Sequence, residues 1–209
     1  KYLNISGLSI HIGSQICKIT PFKKAFKKIR NLILSLKKKN ILIDSLDIGG
    51  GIGIIYEVNK DSVFKISDYA LLVEDNFADL GIEIIIEPGR FLVGASGVLI
   101  SKVIRVKKGK KKDFLIVDAG MNNLLRPSLY NSKHSIFPVK AGNRKIKYDV
   151  VGPICETSDI FRKSYSLSKQ EKNDLIIICS VGAYGSSMSS DYNLRGSANE
   201  VLIDGYKIL

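Results

Sequence analysis

Gly49, Gly50, Gly51 and Gly53 follow an Ile-rich run. Glycines at a strand-to-loop turn let backbone N–H groups approach an anion closely, and such a nest holds phosphate without any side chain. A tight turn needing positive φ would use the same residues, so the cluster alone leaves both readings open. Glu87 closes another Ile-rich run in Glu87-Pro88-Gly89-Arg90. A carboxylate there must be paired if it is buried, and a local ion pair with Arg90 is the simplest arrangement. His11, in His11-Ile12-Gly13-Ser14-Gln15, ends a third run and could equally be a satisfied histidine at a strand end. Cys155, in Pro153-Ile154-Cys155-Glu156, is expected to be exposed and reactive, whereas Cys179 beside Ile176-Ile177-Ile178 reads as core. Cys17 receives no role.

The elements that must position these groups follow from periodicity. Leu8 to Ile12 reads as a strand, after which Thr20 and Pro21 supply an N-cap and a first-turn proline for Phe22, Phe26, Ile29, Ile33 and Leu36 at helical spacing. Ile41 to Ile48 is a second strand ending in the glycine triplet. Ile66, Tyr69, Val73, Phe77 and Leu80 mark a helix stopped by Gly81, and Ile82 to Ile86 is a third strand. Strands alternating with helices imply parallel pairing. Ligands of such sheets lie beyond the carboxyl ends of the strands, so the three polar tips would converge on one site.

After Arg90 the helical period disappears. Val98 to Val106, Phe114 to Val117, Tyr148 to Val151, Leu175 to Val181 and Val201 to Ile203 are apolar runs bounded by turns. Asp204-Gly205 is a hairpin signal whose return strand is Tyr206 to Leu209. The expectation is an α/β domain over 1–93 followed by an all-β domain over 94–209, of sandwich or Greek-key barrel type.

Composition sets bounds. With 209 residues, 45% hydrophobic and 25% charged, the chain can bury a core. No run approaches the roughly 18 apolar residues of a membrane span, and a cytoplasmic location is expected. The net charge of +12 is spread along the chain, with lysine groups at 37–39 and 107–112 where solvated surface is expected. A solvated face is therefore favoured over a nucleic-acid site. Three cysteines without metal-type spacing indicate neither a disulfide framework nor a metal centre.

In order along the chain stand H-I-G-S-Q at 11–15, D-I-G-G-G-I-G at 47–53, E-P-G-R at 87–90 and D-A-G-M-N at 118–122. R-P-S-L-Y at 126–130, V-V-G-P-I-C-E at 150–156 and G-A-Y-G-S-S-M-S-S-D-Y-N at 182–193 complete the set. The ordered set resembles the pyridoxal-phosphate-dependent amino-acid decarboxylases with an alanine-racemase-like barrel, and among them the diaminopimelate decarboxylases.

The resemblance implies that residues 1–93 are the last three units of a (β/α)8 barrel that binds pyridoxal 5'-phosphate. It implies His11 on the face of the cofactor ring with Ser14 nearby, Gly49, Gly50 and Gly51 at the phosphate, and Glu87 at the pyridine nitrogen. Pro88, Gly89 and Arg90 complete that motif. It further implies that Arg90, Arg126 and Tyr130 contact the substrate, that Glu156 meets its distal ammonium, and that Tyr184 touches both cofactor and substrate. Cys155 would be the acid, with Glu87 and His11 the other catalytic groups, and Cys155 with Glu156 would enter the partner's site in a homodimer. The substrate implied is meso-diaminopimelate and the product L-lysine. A sister decarboxylase for another basic amino acid or polyamine precursor and a non-catalytic product of a decaying gene are the alternatives. The family's cofactor lysine lies in a Y-A-x-K-A-N type motif that this sequence lacks. Barrel strands are therefore expected ahead of Lys1, and the 209-residue chain by itself is expected to release no carbon dioxide. Asn131-Ser132-Lys133 and Ser158 also depart from the family pattern.

Overall fold

A computed structural model describes residue 2 and residues 5–209. The chain divides into two compact units: residues up to Ile55 with Asn59–Val93, and Tyr56–Val58 with Gly94–Leu209.

In the first unit β1 (Gly7–Ser9), β2 (Ser45–Asp47) and β3 (Glu83–Ile85) pair in that order, both pairings parallel. Helices α1 (Ile19–Lys37) and α2 (Ile66–Phe77) provide the crossovers that parallel neighbours need. Phe22, Phe26, Ile29 and Ile33 line one stripe of α1, and all four are buried against Leu46, Ile48, Tyr69, Leu72 and Phe77. Aromatic rings interlock here, with Phe22 edge-on to Tyr69 at 5.1 Å and Phe26 tilted on Phe77 at 5.2 Å. Burial pushes the Tyr69 phenol up to about 12.

Two local expectations are corrected. The strands are shorter than their apolar runs, yet single backbone bonds carry the pairing past them: Ile10 to Asp47, Ile48 to Ile85 and Glu87 to Gly49. Helix α1 begins one residue before Thr20, and Lys18 at its N-cap makes no side-chain capping bond. Pro21 is tolerated because first-turn N–H groups have no helical acceptor in any case. The stop at Gly81 holds: α2 tightens into a 3-10 turn at Ala78–Leu80, and Gly81 follows at φ +67°.

The second unit is built on a six-stranded mixed sheet in the order β6-β9-β4-β5-β7-β8. Its strands are β4 (Leu99–Lys107), β5 (Asp113–Val117), β6 (Ile136–Pro138), β7 (Lys145–Val151), β8 (Ile160–Ser168) and β9 (Leu175–Ile178). All neighbours are antiparallel except β5 and β7. The end strands β6 and β8 approach each other, so the sheet is nearly closed around Val103, Leu115, Val117, Tyr148, Val150, Ile176 and Ile178. Two facing sheets, as a sandwich would have, do not form. The apolar runs announce β4, β5, β7 and β9 but neither β6 nor β8.

A parallel neighbour requires an excursion, and the chain between β5 and β7 makes one that contains the short helix α4 (Arg126–Tyr130). Helical turns therefore persist after Arg90, here and in α3 (Gly89–Val93). Pro127 lies in the first turn of α4, and Asn131 caps it in the left-handed conformation at φ 53°. Asn suits that conformation, which gives this departure from the family pattern a physical role. One lysine of the 107–112 group is not merely solvated: Lys112 pairs with the buried Asp149, which also accepts the Ser164 N–H. Burial raises the Asp149 carboxyl, but Lys112 and Ser164 outweigh it and hold the group below the usual carboxylate value. The hairpin expected at the end is present as β10 (Ile203–Asp204) and β11 (Lys207–Ile208).

Candidate active site

In the first unit the three polar strand tips touch. A Cβ on Gly49 would lie 2.4 Å from the Ile10 carbonyl oxygen and 3.1 Å from His11 Nδ1; one on Gly50 would lie 2.1 Å from the Glu87 carbonyl oxygen. On Gly51 it would meet the Gly13 carbonyl oxygen at 2.1 Å, at φ +92°. The glycine triplet is thus demanded by close backbone approach on both sides. Asp47 accepts the Gly49 N–H at 2.7 Å, and His11 Nδ1 accepts the Gly50 N–H at a long 3.4 Å. The His11 ring and the Glu87 carboxylate are exposed beside this turn.

Gln15, which the sequence offered no role, fastens the first tip to the second. Its amide donates to the Ile54 carbonyl at 2.7 Å and accepts the Ile54 N–H at 3.2 Å, imitating a strand partner. Cys17 packs where a Gly53 side chain would go, 2.8 Å from that Cβ position, and burial is the main reason its thiol is raised. Arg90 is buried at the start of α3 and donates to Ser14 Oγ at 2.9 Å, tying the Glu-Pro-Gly-Arg segment to the first tip. Pro88 is half-buried and Gly89 opens α3.

In the second unit Arg126 is buried, with its guanidinium carbon 5.5, 5.3 and 5.6 Å from the ring centres of Tyr56, Tyr130 and Tyr184. Three of the expected substrate residues therefore form one cluster. Cation–π contact helps to orient the guanidinium. Tyr56, which also meets His134 edge-on at 4.8 Å, is an addition that its short apolar context gave no reason to select.

The Cys155 loop is held from both sides. Asp159 is buried, and its two carboxylate oxygens accept the Met121 N–H at 2.7 Å and the Ile154 N–H at 2.8 Å. Gly152 must lack a side chain, since its Cβ would stand 2.3 Å from that carboxylate. Burial raises the Asp159 carboxyl against the pull of the two amides. Ser128 of α4 donates to the Ser158 carbonyl at 2.6 Å, so the Met121 loop, α4 and the Cys155 loop are linked. Cys155 and Glu156 are exposed on this frame, as expected for the cysteine, while Cys179 is only partly buried. Asp159 holds the loop of a candidate site residue and did not stand out in the sequence. Its signal was the third residue after Glu156, where a turn would bring a carboxylate back to the loop amides.

A sheet topology of this kind, with paired glycine and Glu-Pro-Gly-Arg tips, defines a class that comparison makes definite. Residues 26–182 match the family described as pyridoxal-dependent decarboxylase, C-terminal sheet domain, and the chain belongs to that family. Its curated relatives include diaminopimelate decarboxylases from Aquifex aeolicus, 44% identical over 97% of this chain, and from Zymomonas mobilis, 40% identical over 98%. Among solved structures, Helicobacter pylori diaminopimelate decarboxylase complexed with L-lysine matches with a TM-score of 0.90 at 42% identity, covering 98% of this chain and 50% of that one. The M. jannaschii enzyme in co-complex with L-lysine gives 0.90 at 35% identity, covering 100% and 49%. The chain spans about half the length of the curated relatives it matches. Among the described residues no helix is long and apolar enough to cross a membrane.

Proposed function

We propose that this chain is the carboxyl-terminal half of a pyridoxal-phosphate-dependent decarboxylase that converts meso-diaminopimelate to L-lysine. The observation that carries the reading is the meeting of His11, the glycine turn and Glu87 at one end of a parallel sheet, in a chain with relatives of that name along almost its whole length. The first unit then supplies the last three units of a (β/α)8 barrel.

The residues present suit the cofactor. The Gly50 N–H makes only a long 3.4 Å contact with His11 Nδ1 and is an amide a phosphate could recruit, and Ser14, already fixed by Arg90, stands in the adjoining segment. An exposed imidazole at His11 offers a flat face for a pyridine ring, and the exposed Glu87 carboxylate can accept a proton-bearing ring nitrogen. Bound there, pyridoxal phosphate supplies the electron sink that lets a carbon–carboxylate bond break. Glu87 keeps the ring nitrogen protonated, since an adjacent anion favours the charged form.

The second unit reads the substrate. Arg126, aimed by Tyr56, Tyr130 and Tyr184, pairs with the distal carboxylate, and Glu156 meets the distal ammonium; Tyr184 also touches the cofactor. Cys155 delivers the proton to the carbon that has lost carbon dioxide. The exposure of Cys155 and Glu156 suits groups that serve a partner's site, and a homodimer is part of the proposal.

Arg126→Ala in the full-length enzyme tests the reading. A hydrogen-bonded charged contact contributes about 1.5–3 kcal/mol, so kcat/KM for meso-diaminopimelate should fall roughly 10- to 150-fold. D-lysine, whose one carboxylate is the reacting one and which therefore carries no distal carboxylate, should lose nothing further as a substrate. Equal losses for both would remove Arg126 from carboxylate recognition, and no carbon dioxide from meso-diaminopimelate with the unaltered enzyme would remove the function.

A further inference from the structure

We infer that Tyr192 is a specificity-determining positioning residue: it fixes the Glu156 carboxylate with one oxygen occupied and the other free to take a substrate ammonium. The Tyr192 hydroxyl donates to Glu156 Oε1 at 2.5 Å, across 36 residues of sequence. That is the length of a strong bond between a hydroxyl and an ionised acceptor.

The phenol is not placed by chance. It opens a 3-10 turn, Tyr192–Leu194, in which Asn193 and Leu194 both take positive φ, 58° and 56°. Consecutive left-handed residues persist only where the surroundings impose them. Here the segment is tied down on both flanks of Tyr192. Ser190 N–H donates to the Asn122 carbonyl at 2.9 Å, Asn122 Nδ2 donates to the Gly196 carbonyl at 3.3 Å, and Arg195 donates to the Asp118 carbonyl at 3.1 Å. These anchors lie on the same Asp118–Asn122 loop that Asp159 bolts to the Cys155 loop through Met121. Tyr192 and Glu156 are therefore set from two sides of one frame.

A solvent-exposed glutamate samples many rotamers, and ordering it at the moment of binding weakens binding. The Tyr192 bond orders it beforehand and leaves Oε2 available. Glu156 in turn raises the phenol above its ordinary value, with a smaller contribution from nearby Cys155.

The inference rests on the reading that Glu156 meets the distal ammonium of diaminopimelate. Tyr192→Phe in the full-length decarboxylase should raise KM for meso-diaminopimelate about tenfold, the scale of one hydrogen bond to a charged group, with kcat changed less than about twofold. With 2-aminopimelate, which keeps the distal carboxylate but has no distal amine, KM should not move. A merely structural role would shift both substrates, and that result, or no shift in either, overturns the inference. Ultraviolet titration of the phenols in the 209-residue chain is the second readout. Glu156→Gln should bring one high-titrating phenol down, Tyr192→Phe should delete it, and an unchanged titration in Glu156→Gln also overturns the inference. Should the titration behave as described while the unaltered enzyme leaves diaminopimelate untouched, the pair stands and the functional reading falls, taking the specificity role with it.

Discussion

Gly51→Ala is expected to destabilise the first unit by roughly 2–5 kcal/mol, combining about 1–3 for overpacking with about 1–2 for a left-handed side-chain residue. The new Cβ would stand 2.1 Å from the Gly13 carbonyl oxygen and 3.2 Å from its carbon, both backbone atoms that cannot rotate away. Gly81→Ala is the internal control. Its φ is also positive, +67°, but nothing lies within 4 Å of the added Cβ. It should show the conformational penalty alone, about 1–2 kcal/mol. Hydrogen exchange of the α1 and α2 amides reads both variants in the same unit. Equal protection in Gly51→Ala and Gly81→Ala would mean that the strand tips are not in the contact described. Because Gly13 and Gly51 belong to adjoining tips, the same variant should also displace His11 from the glycine turn.

Asp159→Ala should cost the second unit roughly 2–4 kcal/mol, because two loop N–H groups lose their acceptor at about 1–3 kcal/mol each and the Met121 amide is only partly buried. Chemical denaturation followed by circular dichroism measures it. Alkylation of Cys155 should speed up at the same time, since the loop that carries the thiol loses its anchor at Ile154. Asp159→Asn is the gentler variant: it keeps one acceptor and turns an amide N–H toward the other donor. The folded Asp159 carboxyl is raised above its unfolded value by burial. Its contribution is therefore fully present below the unfolded value and declines as pH rises through the raised one. The stability difference between the natural protein and Asp159→Asn should accordingly narrow from acid toward neutral pH. A difference that widens with pH would contradict the assignment.

The parts legible in the sequence were those governed by burial and by glycine. The four inner strands β4, β5, β7 and β9 are ladder-bonded on both sides, and each lies within or overlaps an apolar run. The end strands β6 and β8 escaped. Bonded on one ladder side only, β8 carries Arg162, Lys163, Ser164 and Ser166 in a run that reads as polar, and β6 is three residues ending in Pro138. Near-closure and the parallel β5–β7 pair were illegible for a related reason, since they depend on where the chain returns after the α4 excursion. In the site, tips with unusual composition stood out: His11, Gly49 to Gly51, Glu87 and Arg90. Groups that act by holding others did not. Gln15 and Tyr192 stand inside motifs and Tyr56 and Asp159 outside them, but for all four only the distances reveal the holding role.

Carbon dioxide release from meso-diaminopimelate by the full-length enzyme containing this chain, natural sequence against Glu87→Gln and with pyridoxal phosphate supplied, addresses the central claim directly. The expected result is turnover by the natural protein and a fall in kcat of about 100-fold or more in Glu87→Gln, the scale of a lost charge-stabilising group at a reacting centre. Undiminished turnover in Glu87→Gln would contradict a pyridoxal-phosphate site at these strand tips, and none in the natural protein would contradict the diaminopimelate reading.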